Sequence, residues 1–215
     1  MWNDTDLQHY IEQELEWEPS VHKRQIGVIV KNGAVHLDGH VDSFWEKCVA
    51  ESAAWRVAHI KSVANDIRVE LPFSQQRDDD DLALAAMSVL EANCLVPGTV
   101  EVQVAAGTVT LVGHVEWHHQ QEAAAQALMP LKGLRGLRND IAVKPTLALS
   151  ENKSLLEEAL RRSALVDSSR IKVHIAHGVI SLRGTARTHA ERIAAMHAAW
   201  STPGAAKVED HLTIG

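Results

Sequence analysis

The sequence predicts an α+β protein of three tandem αββαβ modules, each a small three-stranded mixed sheet covered on one face by two helices. Three observations predict it. A nine-residue segment returns three times, its flanks keep the same spacing, and the hydrophobic period switches between helical and extended in the same order in each copy.

The nine-residue segment runs from Gly33 to Val41 and returns from Gly107 to Val115 with six of nine residues unchanged. It returns more loosely from Gly178 to Ala186. Upstream, Ile26, Val28 and Val30 match Val100, Val102 and Val104, then Ile171, Val173 and Ile175. Downstream, Asn65-Asp66-Ile67 matches Asn139-Asp140-Ile141 and Asp210-His211-Leu212. The offsets are 74 and then 71 throughout. Chance does not hold three segments in gapless register.

The first element of each module is an amphipathic helix. Leu7, Ile11 and Leu15 share one face in copy one. Leu82, Ala85, Ala86, Val89 and Leu90 do so in copy two, and Leu155, Leu156, Ala159 and Leu160 in copy three. Asp or Asn precedes each as a candidate N-cap, Asn152 in the third. Two strands follow, marked by strict alternation as in Val100, Val102 and Val104, then Val109 and Leu111. Asn32-Gly33, Ala106-Gly107 and His177-Gly178 join them, and a glycine there suits the positive φ of a tight hairpin. A second glycine, Gly39, Gly113 or Gly184, predicts a bulge or a close approach by the helix that follows. That helix is alanine-rich. Ala50 and Ala53 align with Ala124 and Ala127, and with Ala195 and Ala198, so the helix can lie close on the sheet. A short third strand ends the module, and the helical crossover makes it parallel to the second.

The modules therefore span 1–70, 78–144 and 151–215, separated by short linkers with a proline just past each third strand. Phe73, Leu147 and Leu149 are expected to pack between modules. The acidic run from Asp78 to Asp81 reads as a helix start favoured by the dipole.

Composition narrows the function classes. The chain has 215 residues, 46% hydrophobic and 23% charged, with net charge −7. That acidity argues against a general nucleic-acid binder. Two cysteines, Cys48 and Cys94, read as buried thiols rather than a bridge. The acidic start carries no secretory signal, and no run approaches the ~18 apolar residues of a membrane span. The expectation is a cytoplasmic protein, or a periplasmic one if a signal was removed.

The Gly-x-Val-x-Leu-x-Gly-x-Val core, the alanine-rich helix after it and the Asn-x-Ile-x-Val end resemble the BON domain (bacterial OsmY and nodulation). The third copy departs, with Thr185-Ala186 for His-Val and Asp210 for Asn. The resemblance covers nearly the whole chain, three times. It implies the αββαβ fold and a non-catalytic role in osmotic or envelope stress, binding an anionic phospholipid surface or a partner protein. The alternative is a self-associating scaffold with no lipid role.

The residues themselves carry no catalytic motif, phosphate loop or zinc spacing, so neither enzyme nor cofactor is expected. The turn glycines Gly33, Gly39, Gly107, Gly113, Gly178 and Gly184 read as backbone devices. His36 and His40, and His114 and His118, are four apart but fall across strand ends, so they predict no metal site. His40 and His114 are expected to cap the turn or the second helix. Trp55 and Trp200 share one repeat position, taken by Met129 in copy two, and read as core packing. Trp45 and Trp117, at the start of the second helix, are candidate interface residues. The third copy is mildly basic. Arg161, Arg162, Arg170, Arg183, Arg187 and Arg192 are the candidates for holding an anionic ligand by paired hydrogen bonds.

Overall fold

Leu7, Ile11 and Leu15 are buried on one side of α1 (Asp4–Glu16), whose N-cap Asn3 accepts a hydrogen bond from the Asp6 amide. The hairpin of β1 (Ile26–Lys31) and β2 (Ala34–Val41) follows, then α2 (Phe44–Arg56), β3 (Ser62–Asn65) and β4 (Arg68–Val69). The second module repeats this as α3 (Asp79–Ala92), β5 (Val100–Ala105), β6 (Thr108–Val115), α4 (His118–Leu128), β7 (Gly136–Asn139) and β8 (Ala142–Val143). The third is α5 (Lys153–Arg162), β9 (Ile171–Ala176), β10 (Val179–Ala186), α6 (His189–Trp200) and β11 (Lys207–Ile214). The structure, a computed structural model, describes residues 2–21, 25–145, 153–176 and 179–215. Asn152, Leu147, Leu149, His177 and Gly178 lie outside them.

The central strand of each sheet pairs antiparallel with the one before it and parallel with the one after the crossover helix. In the first two modules the third strand is interrupted, β3 giving way to β4 and β7 to β8, yet the register on the central strand does not slip. In the third module β11 runs unbroken beside β10 over eight residues.

The expected side chains fill three separate cores, one per module. One repeated alanine of each second helix, Ala50, Ala124 or Ala195, is fully buried, which lets the helix sit against its sheet. Below it, Asn65 and Asn139 each use both ends of the side-chain amide. Nδ2 donates to a helix carbonyl, of Lys47 or Gln121, and Oδ1 accepts from the amide of Ile67 or Ile141. Asp210 keeps the second bond, from Leu212, and replaces the first with an ion pair to Arg192. The shared Asn or Asp is therefore a clasp between helix and third strand.

The turn chemistry matches expectation. Asn32 and Gly33 have φ of 53° and 78°, and Ala106 and Gly107 have 50° and 76°. Carboxylates from the first helix hold these turns: Asp4 accepts from the amides of Asn32 and Gly33, and Asp79 from those of Ala106 and Gly107.

Several expectations are corrected. The second glycine is needed for a close approach, but not by the helix after it. Gly39, Gly113 and Gly184 have φ of 121°, 110° and 130°. A Cβ at these positions would overlap the carbonyl of Gln25, Thr99 or Arg170, just before the first strand. Leu155 is exposed, because it lies a 100° step around the helix from Leu156 and faces solvent. Phe73, on a 3-10 turn over Phe73–Gln75, is 91% exposed and packs between nothing. Both cysteines are free, but Cys94 is exposed and Cys48 only half-buried. His40 and His114 stand on the exposed face of β2 and β6 and cap neither turn nor helix.

Candidate functional site

The second helices meet one another, and their contacts repeat with the sequence. Phe44, His118 and His189 open α2, α4 and α6 at one repeat position. Trp55, Met129 and Trp200 share another, eleven residues on. The Trp55 indole of module one stacks on His189 of module three, ring centres 3.9 Å apart and planes 14° from parallel. The Trp200 indole of module three stacks on His118 of module two at 4.0 Å and 13°. Phe44 of module one packs against the core of module two. The three junctions thus run in a cycle. Trp55 and Trp200 do back onto their own cores, but each turns a ring face to a histidine of another module. The reading of these residues as core packing alone is corrected on that point. Glu122 adds to the second junction, 3.4 Å from His118 and 3.8 Å from His197.

Around Trp55 the first and third modules enclose an open cleft of about 750 Å³, lined by Cys48, Glu51, His189, Arg192, Ile193 and Asp210 among others. Its polar groups are largely employed. Arg192 Nε donates to Asp210 at 2.7 Å, and Asn65 donates to Glu51 at 3.0 Å. Burial, reinforced by Glu51, pushes the Cys48 thiol up to about 11, which keeps it protonated and unreactive. Burial also lowers the pKa of His189, with Arg192 adding to the effect, and its Nδ1 is buried with no hydrogen-bond partner among the described residues. An activated nucleophile with an adjacent base is not assembled there. Trp45, exposed on α2, borders a smaller cleft of about 350 Å³ between modules one and two, with Leu71, Met129, Leu131 and Lys132. Trp117 is half-buried at the N-cap of α4, beside its own His119. Among the described residues no three His, Cys, Asp or Glu side chains gather as metal ligands do.

The six arginines of the third module divide. Arg187 pairs with Asp167, Arg192 with Asp210, and Arg162 lies 3.8 Å from Glu158. Arg161 is exposed on α5, and Arg170 is half-buried just before β9. Arg183 stands alone in character. It projects from the sheet face that no helix covers among the described residues, directly opposite Lys172 on β9 and His211 on β11. All three are exposed, and neither Arg183 nor Lys172 has a carboxylate partner among the described residues. Sequence reasoning missed Lys172 and His211. The alternation that placed Arg183 on the open face also places Lys172 there, but only the register shows the three side by side.

Comparison with known proteins bears on what this fold is. The family model for the BON domain matches the chain at residues 3–70, 78–145 and 149–215. The chain belongs to the BON domain family. No curated protein sequence is detectably similar to it. Among solved structures it is similar to CdsD, a structural protein of the type III secretion system of Chlamydia trachomatis. That match is 18% identical, covers 96% of this chain and 91% of that one, and has a TM-score of 0.25. A second is the periplasmic domain of the inner-membrane protein PrgH from S. typhimurium, 12% identical over 89% of this chain and 95% of that one, TM-score 0.22. Superpositions that poor say nothing about how the modules are arranged or what they bind. No helix among the described residues is long and apolar enough to cross a membrane.

Within this triple-BON chain the open-face row differs by module. Where the third BON module has Lys172, Arg183 and His211, the first has Gly27, Asp38 and Asp66. The second has Glu101, Val112 and Asp140, with Asp140 held by Arg138 at 2.7 Å. One scaffold position is acidic twice and basic once. BON modules act in binding, and this row changes from acidic to basic between the copies.

Proposed function

We propose that this BON protein is a non-catalytic binding protein of the osmotic or envelope stress response, and that its third module docks on an anionic phospholipid surface. The docking face is the open side of the sheet of β9, β10 and β11. The observation that carries this reading is the row Lys172, Arg183 and His211. Like charges directly opposite one another on neighbouring strands are destabilising. A row of that kind with no carboxylate against its two strongest cations is costly alone and favourable once an anion arrives. Guanidinium and ammonium groups donate well to phosphate oxygens. Each Lys or Arg near an anionic membrane surface contributes about 1 kcal/mol, so Lys172 and Arg183 together supply about 2 kcal/mol. That is weak, reversible and salt-sensitive attachment. The stress setting rests on the family resemblance; the lipid face rests on the row.

Vesicle co-sedimentation at low salt tests it. The chain should pellet with vesicles containing anionic lipid and not with neutral ones. The K172E/R183E variant should lose that binding, while Arg187→Gln, which removes a cation already paired to Asp167, should keep most of it. Equal and negligible binding of the wild-type chain to both vesicle types would sink the proposal.

A further inference from the structure

We infer that the same basic face also takes the open sheet face of the first module from a second copy of this chain, so that self-docking and anionic-surface binding compete. The inference rests on the reading that the Lys172–Arg183–His211 face is the binding surface, and names a second occupant for it.

The complementarity is built on the repeat. In the first module Gly27 stands opposite Asp38, and Asp66 occupies the third-strand position that His211 holds in the third. Asp38 and Asp66 are exposed, and the Asp38 carboxylate reaches across the space above Gly27, where even a Cβ would meet it. The glycine leaves the acidic row without a side chain of its own to hold a partner off. Both rows cross a sheet of the same topology at the same height, so two such sheets laid face to face bring two carboxylates against the cations Lys172 and Arg183. Neighbouring strands lie about 4.8 Å apart, so each row spans about 10 Å. On one side of each, the neighbouring row carries little net charge. Ile29, His36 and Ala64 flank the acidic row, with His36 Nδ1 3.6 Å from Asp66 and Ile29 49% exposed. His174, Ser181 and Glu209 flank the basic one, where Glu209 is engaged by Lys207 and Ser181 and lies 3.6 Å from His211. On the other side of the acidic row Arg68 stands opposite His40, next to Asp66, and Lys31 stands at the far end of the first module's face.

The second module is a poorer partner. Val112 interrupts its row, and Arg138 already neutralises Asp140. The acidic first module and the basic third lie on one chain but use different faces. The contact is therefore heterologous: each copy offers one face of each kind, and association propagates or closes a ring instead of stopping at a two-fold dimer.

Sedimentation of the full chain over a concentration series, at low and at high salt, tests this. The wild type should exceed its monomer mass of 23.6 kDa at low salt and return to it at high salt. K172E/R183E and D38K/D66K should each remain at 23.6 kDa. Mixing these two variants should restore association, because each now carries the charge the other lacks; misfolded variants cannot rescue one another. Anionic vesicles should dissolve the wild-type assemblies. A wild type that stays monomeric at low salt, assemblies that persist in K172E/R183E, or a mixture that stays monomeric each overturns the inference. Vesicle binding then separates the two failures. If the monomeric wild type still binds anionic vesicles and K172E/R183E does not, the lipid reading stands alone. If neither binds, the face is no binding surface.

Discussion

Gly113→Ala should damage the second module out of proportion to the single methyl it adds. Gly113 has φ of 110°, a region that L residues occupy at a cost of about 1–3 kcal/mol. The added Cβ would overlap the main-chain carbonyl of Thr99, and backbone cannot swing aside as a side chain can. Relief requires parting the start of the hairpin, where Val100 pairs with Gly113. Each ladder hydrogen bond weakened there costs about 0.5–1.5 kcal/mol. The sum is about 3 kcal/mol. Hydrogen exchange followed on peptides of β5 and β6 reads it locally, and the loss corresponds to roughly a hundredfold faster exchange, at 1.4 kcal/mol per tenfold. Gly98→Ala is the control, since a Cβ there meets nothing within 4 Å. It should lie within about 0.5 kcal/mol of wild type. If Gly113→Ala exchanges within about tenfold of wild type, the close-approach account of this glycine is wrong.

Asp79→Ala should cost about 1.5–3 kcal/mol, because its carboxylate accepts from the amides of Ala106 and Gly107 at 2.8 Å each; urea denaturation followed by circular dichroism measures it. The junction of modules one and three should weaken in mild acid. Burial lowers the His189 pKa below its ordinary value near 6.5, helped by Arg192 and opposed by Glu51 and Asp210. Its contribution is then fully present above the unfolded value and is lost as pH falls through the folded one. A stability profile from pH 8 to 5 should show this decline, and His189→Gln should flatten it. Cys94 should react with a thiol reagent at neutral pH well before Cys48, which is half-buried with a pKa near 11; mass spectrometry of the labelled chain orders them.

The repeat, the element order and most of the core were legible because they depend on local chemistry. Periods of 3.6 and 2 place Leu7, Ile11 and Leu15 or Val109 and Leu111 on one face whatever lies beyond. A turn that needs positive φ selects glycine within one or two residues of where it is required. Leu155 and Phe73 were misjudged for one reason. Both are apolar residues at element ends, where the period no longer says which side faces a partner.

What the sequence by itself determined is therefore the module: its order αββαβ, its three copies, and the open polar face that alternation leaves on each sheet. What only the tertiary structure decided is relation. A tryptophan at a repeated helix position is apolar surface in one dimension; packing in three made Trp55 and Trp200 lids over histidines from other modules. Six arginines in one module look like one patch, but ion pairs with Asp167 and Asp210 withdraw two of them. Strand register sets Arg183 between Lys172 and His211, residues eleven and 28 positions away. Charge acts through space and periodicity acts along the chain, so the fold was written locally and the binding face was not.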